Sequence, residues 1–130
     1  MSDSISFSRY NLPHANAKDA QDKWRQFQPM GRTAVNDAAY TILATDSIVA
    51  YTNLTAGRTA TLPAANSVPV GKLFAVVDEG GDGATHNLTV DGNGAETISG
   101  AASVVIAVNY GYWVGYSNGS AWFTVSQKIA

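Results

Sequence analysis

From Tyr40 onward the chain alternates between short runs rich in Val, Ile, Thr, Ala and aromatic residues and clusters of Gly, Pro, Asn and Asp. Such runs are too short for buried helices and read as strands, with the clusters as turns. Strands are predicted near residues 40–44, 47–52, 58–62, 72–78, 87–91, 96–99 and 103–108. The clearest stretch comes last: residues 110–117 and 120–125 flank Asn118-Gly119, a dipeptide typical of a type I′ hairpin turn. Period-two alternation puts Tyr110, Tyr112, Val114 and Tyr116 on one side of the first arm and Gly111, Trp113, Gly115 and Ser117 on the other. One side is large and aromatic, while the other has glycines where another backbone can approach. This hairpin is expected to be the centre of the fold. No helix of useful length interrupts the strands, so a parallel α/β sheet is not expected.

The first 35 residues follow a different pattern. Residues 2–13 have neither helical period nor sustained alternation beyond Ile5 and Phe7, and read as an extended arm. Over residues 16–28, Asn16 is placed as an N-cap, Ala17, Ala20, Trp24 and Phe27 share one stripe, Asp19 and Lys23 form an i,i+4 pair, and Pro29 ends the run. The predicted fold is therefore all-β: a small antiparallel β-sandwich or barrel over residues 36–130, preceded by an extended N-terminal arm with one short helix over residues 1–35. A helix of about three turns is marginal alone, so Trp24 and Phe27 have to pack on the sheet or on a partner.

Composition narrows the function classes. The 130 residues suit one domain with a single core, and charged residues make up only 14%. There is no cysteine, which excludes disulfides, thiolate metal sites and a Cys nucleophile. No signal-peptide h-region follows Met1 and no apolar run approaches bilayer-spanning length, so a protein made in the cytoplasm, without a membrane partner, is expected. Five basic residues face three acidic ones over residues 1–35, against three and seven over residues 36–130. The basic excess is too small and too dispersed for a nucleic-acid tail but can steer docking onto an acidic protein.

Candidate chemistry is sparse. Gly115-Tyr-Ser117-Asn-Gly119 matches G-x-S-x-G, but a nucleophile elbow needs a strand-turn-helix context and a later histidine, whereas His14 and His86 both precede the serine. Ser117 is read as a turn residue, so that Ser117→Ala should cost little stability. Asp91-Gly-Asn-Gly-Ala-Glu96 lacks the full calcium-loop pattern and reads as a turn, as does the acidic stretch from Asp78 to Asp82. Three formal glycosylation sequons, at Asn53, Asn87 and Asn118, carry no weight without a secretion signal. No catalytic residue, metal ligand or cofactor is assigned, and an enzyme is not expected.

Several stretches in order, Tyr40-Thr-Ile-Leu-Ala-Thr-Asp46, Arg58-Thr-Ala-Thr-Leu-Pro63, Pro69-Val-Gly-Lys72, Asn87-Leu-Thr-Val90 and Tyr116-Ser-Asn-Gly-Ser-Ala-Trp122, resemble a β-module of tailed-bacteriophage virion proteins. The resemblance covers about residues 40–125. It implies a structural or binding protein of the virion, often a homotrimer, as found in head-decoration (cement) proteins and in tail fibres. The expectation is a decoration protein on the capsid surface, synthesised in the host cytoplasm, that binds the major capsid protein or another virion protein through its arm and stabilises the head. The alternative is a tail-fibre or tail-tip component that binds the host surface. The absence of a repeated module or shaft-like heptads and the presence of the arm favour decoration. The partner-binding residues expected on the arm are Ile5, Phe7, Arg9, Tyr10, Trp24, Arg25, Phe27 and Arg32, with the aromatic residues as anchors and the arginines setting salt dependence.

Overall fold

A computed structural model describes residues 30–130. The strands are β1 (Arg32–Asn36), β2 (Tyr40–Thr41), β3 (Ile48–Asn53), β4 (Arg58–Thr61), β5 (Phe74–Asp78), β6 (Leu88–Asp91), β7 (Ser103–Ile106), β8 (Tyr112–Ser117) and β9 (Trp122–Lys128), with one 3-10 turn at Ala65–Ser67. They form a five-stranded sheet in the order β1-β3-β5-β8-β9 and a four-stranded sheet in the order β2-β4-β6-β7. The expected all-β sandwich is what the chain forms. The helix expected over residues 16–28 lies outside the described residues.

Strand pairing departs from the antiparallel expectation. Four of the seven ladders, β1-β3, β2-β4, β3-β5 and β4-β6, are parallel. The reason is connectivity: through β6 the chain crosses between the sheets at each connection. Two crossings return it in its original direction beside the strand it left, so successive coils stack in parallel. Only β7, β8 and β9 close the fold as antiparallel strands. Turn residues mark where a strand ends, not whether the chain folds back or crosses over.

Three boundaries also differ. The body begins with β1, which pairs with β3 from Arg32 onward, ahead of the expected start at Asn36. Residues 96–99 form no strand, and Ile98 makes only isolated bridges to Ala101 and Trp122. The last hairpin has four loop residues between Ser117 and Trp122 rather than a two-residue type I′ turn. Gly119 there has a φ of 100°, while Asn118 stays out of the positive-φ region and accepts the N–H groups of Ser120 and Ala121 through its side chain.

The core lies between the sheets. Val35, Val49, Tyr51, Phe74, Val76, Trp113 and Trp122 of the larger sheet meet Ala60, Leu88, Val90 and Ile106 of the smaller one, with Ile42 and Leu62 from the connections. Trp122 packs edge-on against Phe74 (centroids 5.2 Å apart) and Trp113 (6.4 Å), and donates its Nε1–H to the Pro63 carbonyl at 3.2 Å. Gly115 is required here, because a Cβ would lie 2.2 Å from Cζ2 of Trp113. The glycine side of the hairpin therefore faces the core, and the tyrosine side faces out.

Candidate interaction surface

The two sheets present opposite chemistry on their outer faces. Alternation about the buried Ala60, Leu88, Val90 and Ile106 turns Thr59, Thr61, Thr89, Asp91, Ser103 and the exposed Val105 of the smaller sheet away from the core, a mostly polar surface. The same alternation in the larger sheet turns out Ala34, Ile48, Ala50, Ala75, Val77, Tyr112, Val114, Tyr116 and Phe123, with Arg32 on the β1 edge and Ser126 and Lys128 on the β9 edge. The central strands are apolar on both faces: Ile48-Val-Ala-Tyr51 and Phe74-Ala-Val-Val77 read as continuous hydrophobic runs, the signature of strands covered on both sides.

Register fixes the layout of this face. One row across the sheet is Arg32, Ile48, Ala75, Val114, Ser126; the next is Ala34, Ala50, Val77, Tyr112, Lys128; toward the hairpin, Tyr116 stands opposite Phe123 with ring centroids 6.0 Å apart. Ala50 and Ala75 are 0% and 9% exposed although neither belongs to the core cluster. An ion pair spans the sheet near Ala50. Arg32 on β1 donates from Nε and Nη2 to the Glu79 carboxylate at 2.9 and 2.6 Å, and the register puts Ala50 midway between them on β3. This hydrogen-bonded contact raises the pKa of Arg32 and lowers that of Glu79. Arg32, expected to meet a partner, pairs with Glu79 and keeps half of its side chain exposed.

At the end of the sheet where β1 begins, Asp46 joins three segments, β1, β2 and its own loop ahead of β3. Its nearly buried carboxylate accepts from Thr33 Oγ1 at 2.7 Å, Tyr40 Oη at 2.6 Å and Leu43 N at 2.8 Å. Burial pushes this carboxyl up, but the bonds from Tyr40, Thr33 and Leu43, with the charge of Lys72, outweigh it and hold the pKa below the usual value. The hydrogen bond to Asp46, followed by burial and the Asp46 charge, pushes Tyr40 up to about 12. Lys72 donates to the Ala44 carbonyl at 2.6 Å and lies 4.6 Å from the centroid of the Phe74 ring. Leu43, Val70 and Leu73 stand exposed around this end.

The opposite end carries the acidic loop that follows β5. Asp78 is fully buried and accepts the N–H groups of Gly81, Asp82, Gly83 and Tyr110 at 2.7–3.2 Å. These bonds hold Tyr110 at a φ of 61° with its side chain 63% exposed. Its ring lies on Gly81, where a Cβ would fall 2.4 Å from Cζ of the tyrosine. Nearby, Asp37 accepts from Thr55 and from Arg58 Nε, and these bonds hold its pKa far below the ordinary carboxylate value.

Ile5, Phe7, Arg9, Tyr10, Trp24, Arg25 and Phe27 lie outside the described residues, so Arg32 alone of the expected partner-binding set is placed. Ser117 is a buried strand residue instead of a turn residue: it donates to the Ala65 carbonyl at 2.6 Å and accepts from Gly119 N at 2.9 Å. The sequence treated Asp46 and Asp78 as turn punctuation and missed their buried roles. Only the spacing Tyr40…Asp46 hinted at one of them, and those residues bond to each other. Among the described residues no group of three or more His, Cys, Asp or Glu is placed to hold a metal ion, and no helix is long and apolar enough to cross a membrane. No protein-family model and no curated protein matches this chain.

Proposed function

We propose that the protein is a structural component of a tailed-phage virion, a decoration protein that docks on the capsid surface, with a homotrimer as the assembled form. The observation that carries a structural, docking role is the apolar strip on the outer face of the five-stranded sheet, bounded by Arg32 on one edge and by Ser126 and Lys128 on the other. A face of this kind is costly to leave in water and marks a contact surface. The ordered resemblance over residues 40–125 supplies the virion setting, and the hydrogen bond joining Tyr40 to Asp46 gives that stretch a physical meaning as a latch of the fold. The basic balance and paired aromatics of residues 1–35 make the arm the anchor to the shell protein.

A second reading, a tail-fibre or tail-tip part, is favoured by Tyr110, an exposed aromatic ring on a constrained backbone that suits stacking on a sugar. Counting copies per particle by quantitative mass spectrometry separates the two. Hundreds of copies fit decoration, and a few to a few dozen fit the tail. For the anchor, deletion of residues 1–28 should abolish rebinding to stripped particles, with circular dichroism as the folding control. A folded truncation that rebinds as well as the full chain would move the anchor onto the β-body.

A further inference from the structure

The chain has two Asn-Gly steps, Asn93-Gly94 and Asn118-Gly119, and the fold treats them in opposite ways. Asparagine before glycine is chemically labile, because the glycine nitrogen can attack the side-chain carbon Cγ and no Cβ on the glycine hinders the approach. We propose that Asn93 is a site of spontaneous deamidation in the folded protein, while Asn118 is kept unreactive by its hydrogen bonds.

Asn93, Gly94 and Ala95 are all exposed, in the turn that the Glu96 N–H closes on the Asn93 carbonyl at 3.0 Å. Gly94 has a φ of 58°, and a Cβ there would meet nothing within 4 Å. Among the described residues, neither the Asn93 carboxamide nor the Gly94 N–H has a hydrogen-bond partner. The side chain can therefore rotate onto the Gly94 nitrogen without giving up a bond.

The hairpin step is the reverse. Oδ1 of Asn118 accepts the N–H groups of Ser120 and Ala121 at 2.9 and 3.0 Å, and the Gly119 N–H donates to Ser117 Oγ at 2.9 Å. Ser117 is itself buried and tied to the Ala65 carbonyl. The carbonyl that would be attacked and the nitrogen that would attack are fixed on different partners, and ring closure has to break all three bonds.

The reaction at Asn93 needs only water. A bond forms between the Gly94 nitrogen and Cγ, the carboxamide C–N bond breaks, and the proton from the Gly94 nitrogen leaves with the amide group as ammonia. Water then opens the cyclic imide at either carbonyl, giving aspartate or isoaspartate. Both products place a new negative charge between Asp91 and Glu96. Isoaspartate also lengthens the backbone of a turn whose Glu96 carboxylate accepts the Ala65 N–H at 2.9 Å.

The test is ageing of the full chain in mildly alkaline buffer, with and without denaturing guanidinium, followed by proteolysis and mass spectrometry of the two Asn-Gly peptides. Circular dichroism confirms that the sample without guanidinium stays folded. In the folded protein Asn93 should lose its amide at least about tenfold faster than Asn118, because three hydrogen bonds have to break first at Asn118. In guanidinium, where both steps are unfolded chain, the ratio should fall toward unity. Asn93→Asp marks where the aged protein elutes on anion exchange, and a peak growing at that position is expected. Equal rates at the two sites in the folded protein, a ratio unchanged by guanidinium, or an Asn93 that keeps its amide in the folded protein while the unfolded chain loses it, overturns the proposal.

Discussion

Asp46→Asn tests whether a single buried carboxylate holds the first coil of the sandwich to the rest. Three donors converge on Asp46, from β1, β2 and the loop ahead of β3. The amide keeps the shape but loses the charge, and its NH₂ group turns a donor toward groups that are donors already. Charge-assisted bonds contribute about 1.5–3 kcal/mol each and neutral ones about 1 kcal/mol, and Thr33 and Tyr40 are half-buried, so water recovers part of the loss. The expected cost is roughly 2–3 kcal/mol. With a urea slope of about 1–1.5 kcal/mol per molar for a body of this size, the unfolding midpoint should fall by about 2 M. The effect should also be coupled. Tyr40→Phe alone removes one of the three bonds, and the double variant should cost less than the two single changes together, by at least about 0.5 kcal/mol. Because the folded pKa of Asp46 lies below its unfolded value, its contribution is complete above the unfolded carboxylate range and is lost as pH falls through the folded pKa. Wild type and variant should therefore converge in acid, where Asp37 and Glu79, also depressed, lose their contributions in both proteins. A variant whose midpoint matches wild type at neutral pH, or whose deficit persists undiminished in strong acid, would refute the latch.

Ser117→Ala should lower stability by about 1–3 kcal/mol, because it leaves the Ala65 carbonyl without its 2.6 Å donor in a buried site; denaturant unfolding measures it. Tyr51→Phe should raise stability by about 1 kcal/mol, since the buried hydroxyl has no hydrogen-bond partner; an equal or lower melting temperature would contradict this. Burial pushes Tyr51 up to about 12, as the Asp46 bond does Tyr40, so the folded state keeps two protons that the unfolded chain loses above pH 10. Stability should decline between pH 10 and 12, and Tyr51→Phe should make that decline shallower.

The positions of most strands were legible because Val, Ile and Thr runs bounded by Gly, Pro and Asp leave little choice of structure. What alternation could not tell was which side of a strand is inside. In β8 it separated Tyr112, Val114 and Tyr116 from Trp113, Gly115 and Ser117 correctly, without showing which set faces the core. The core took Trp113 because Gly115 opens room for its ring, a contact between residues two apart that no periodicity reveals. β1 escaped notice because its pattern is five residues long and starts with a charge, and its strand character comes from a parallel partner sixteen positions on. The acidic residues were hardest. Asp46 and Asp78 carry the composition of turns, and only three-dimensional convergence of backbone and side-chain donors distinguishes a buried carboxylate from a solvated one.

Because β1 runs parallel to β3 and β5, and β9 runs in the same direction, the body takes in the chain at Gly31 at one end and releases it beyond Lys128 at the other. Tension drawn between those two points acts along the strand axes. The β1-β3 and β8-β9 ladders are then pulled lengthwise, so that all the hydrogen bonds of a ladder share the load at once, whereas a peeling hairpin would break them one after another. The body is a mechanical clasp, strongest along the line from Gly31 to Lys128.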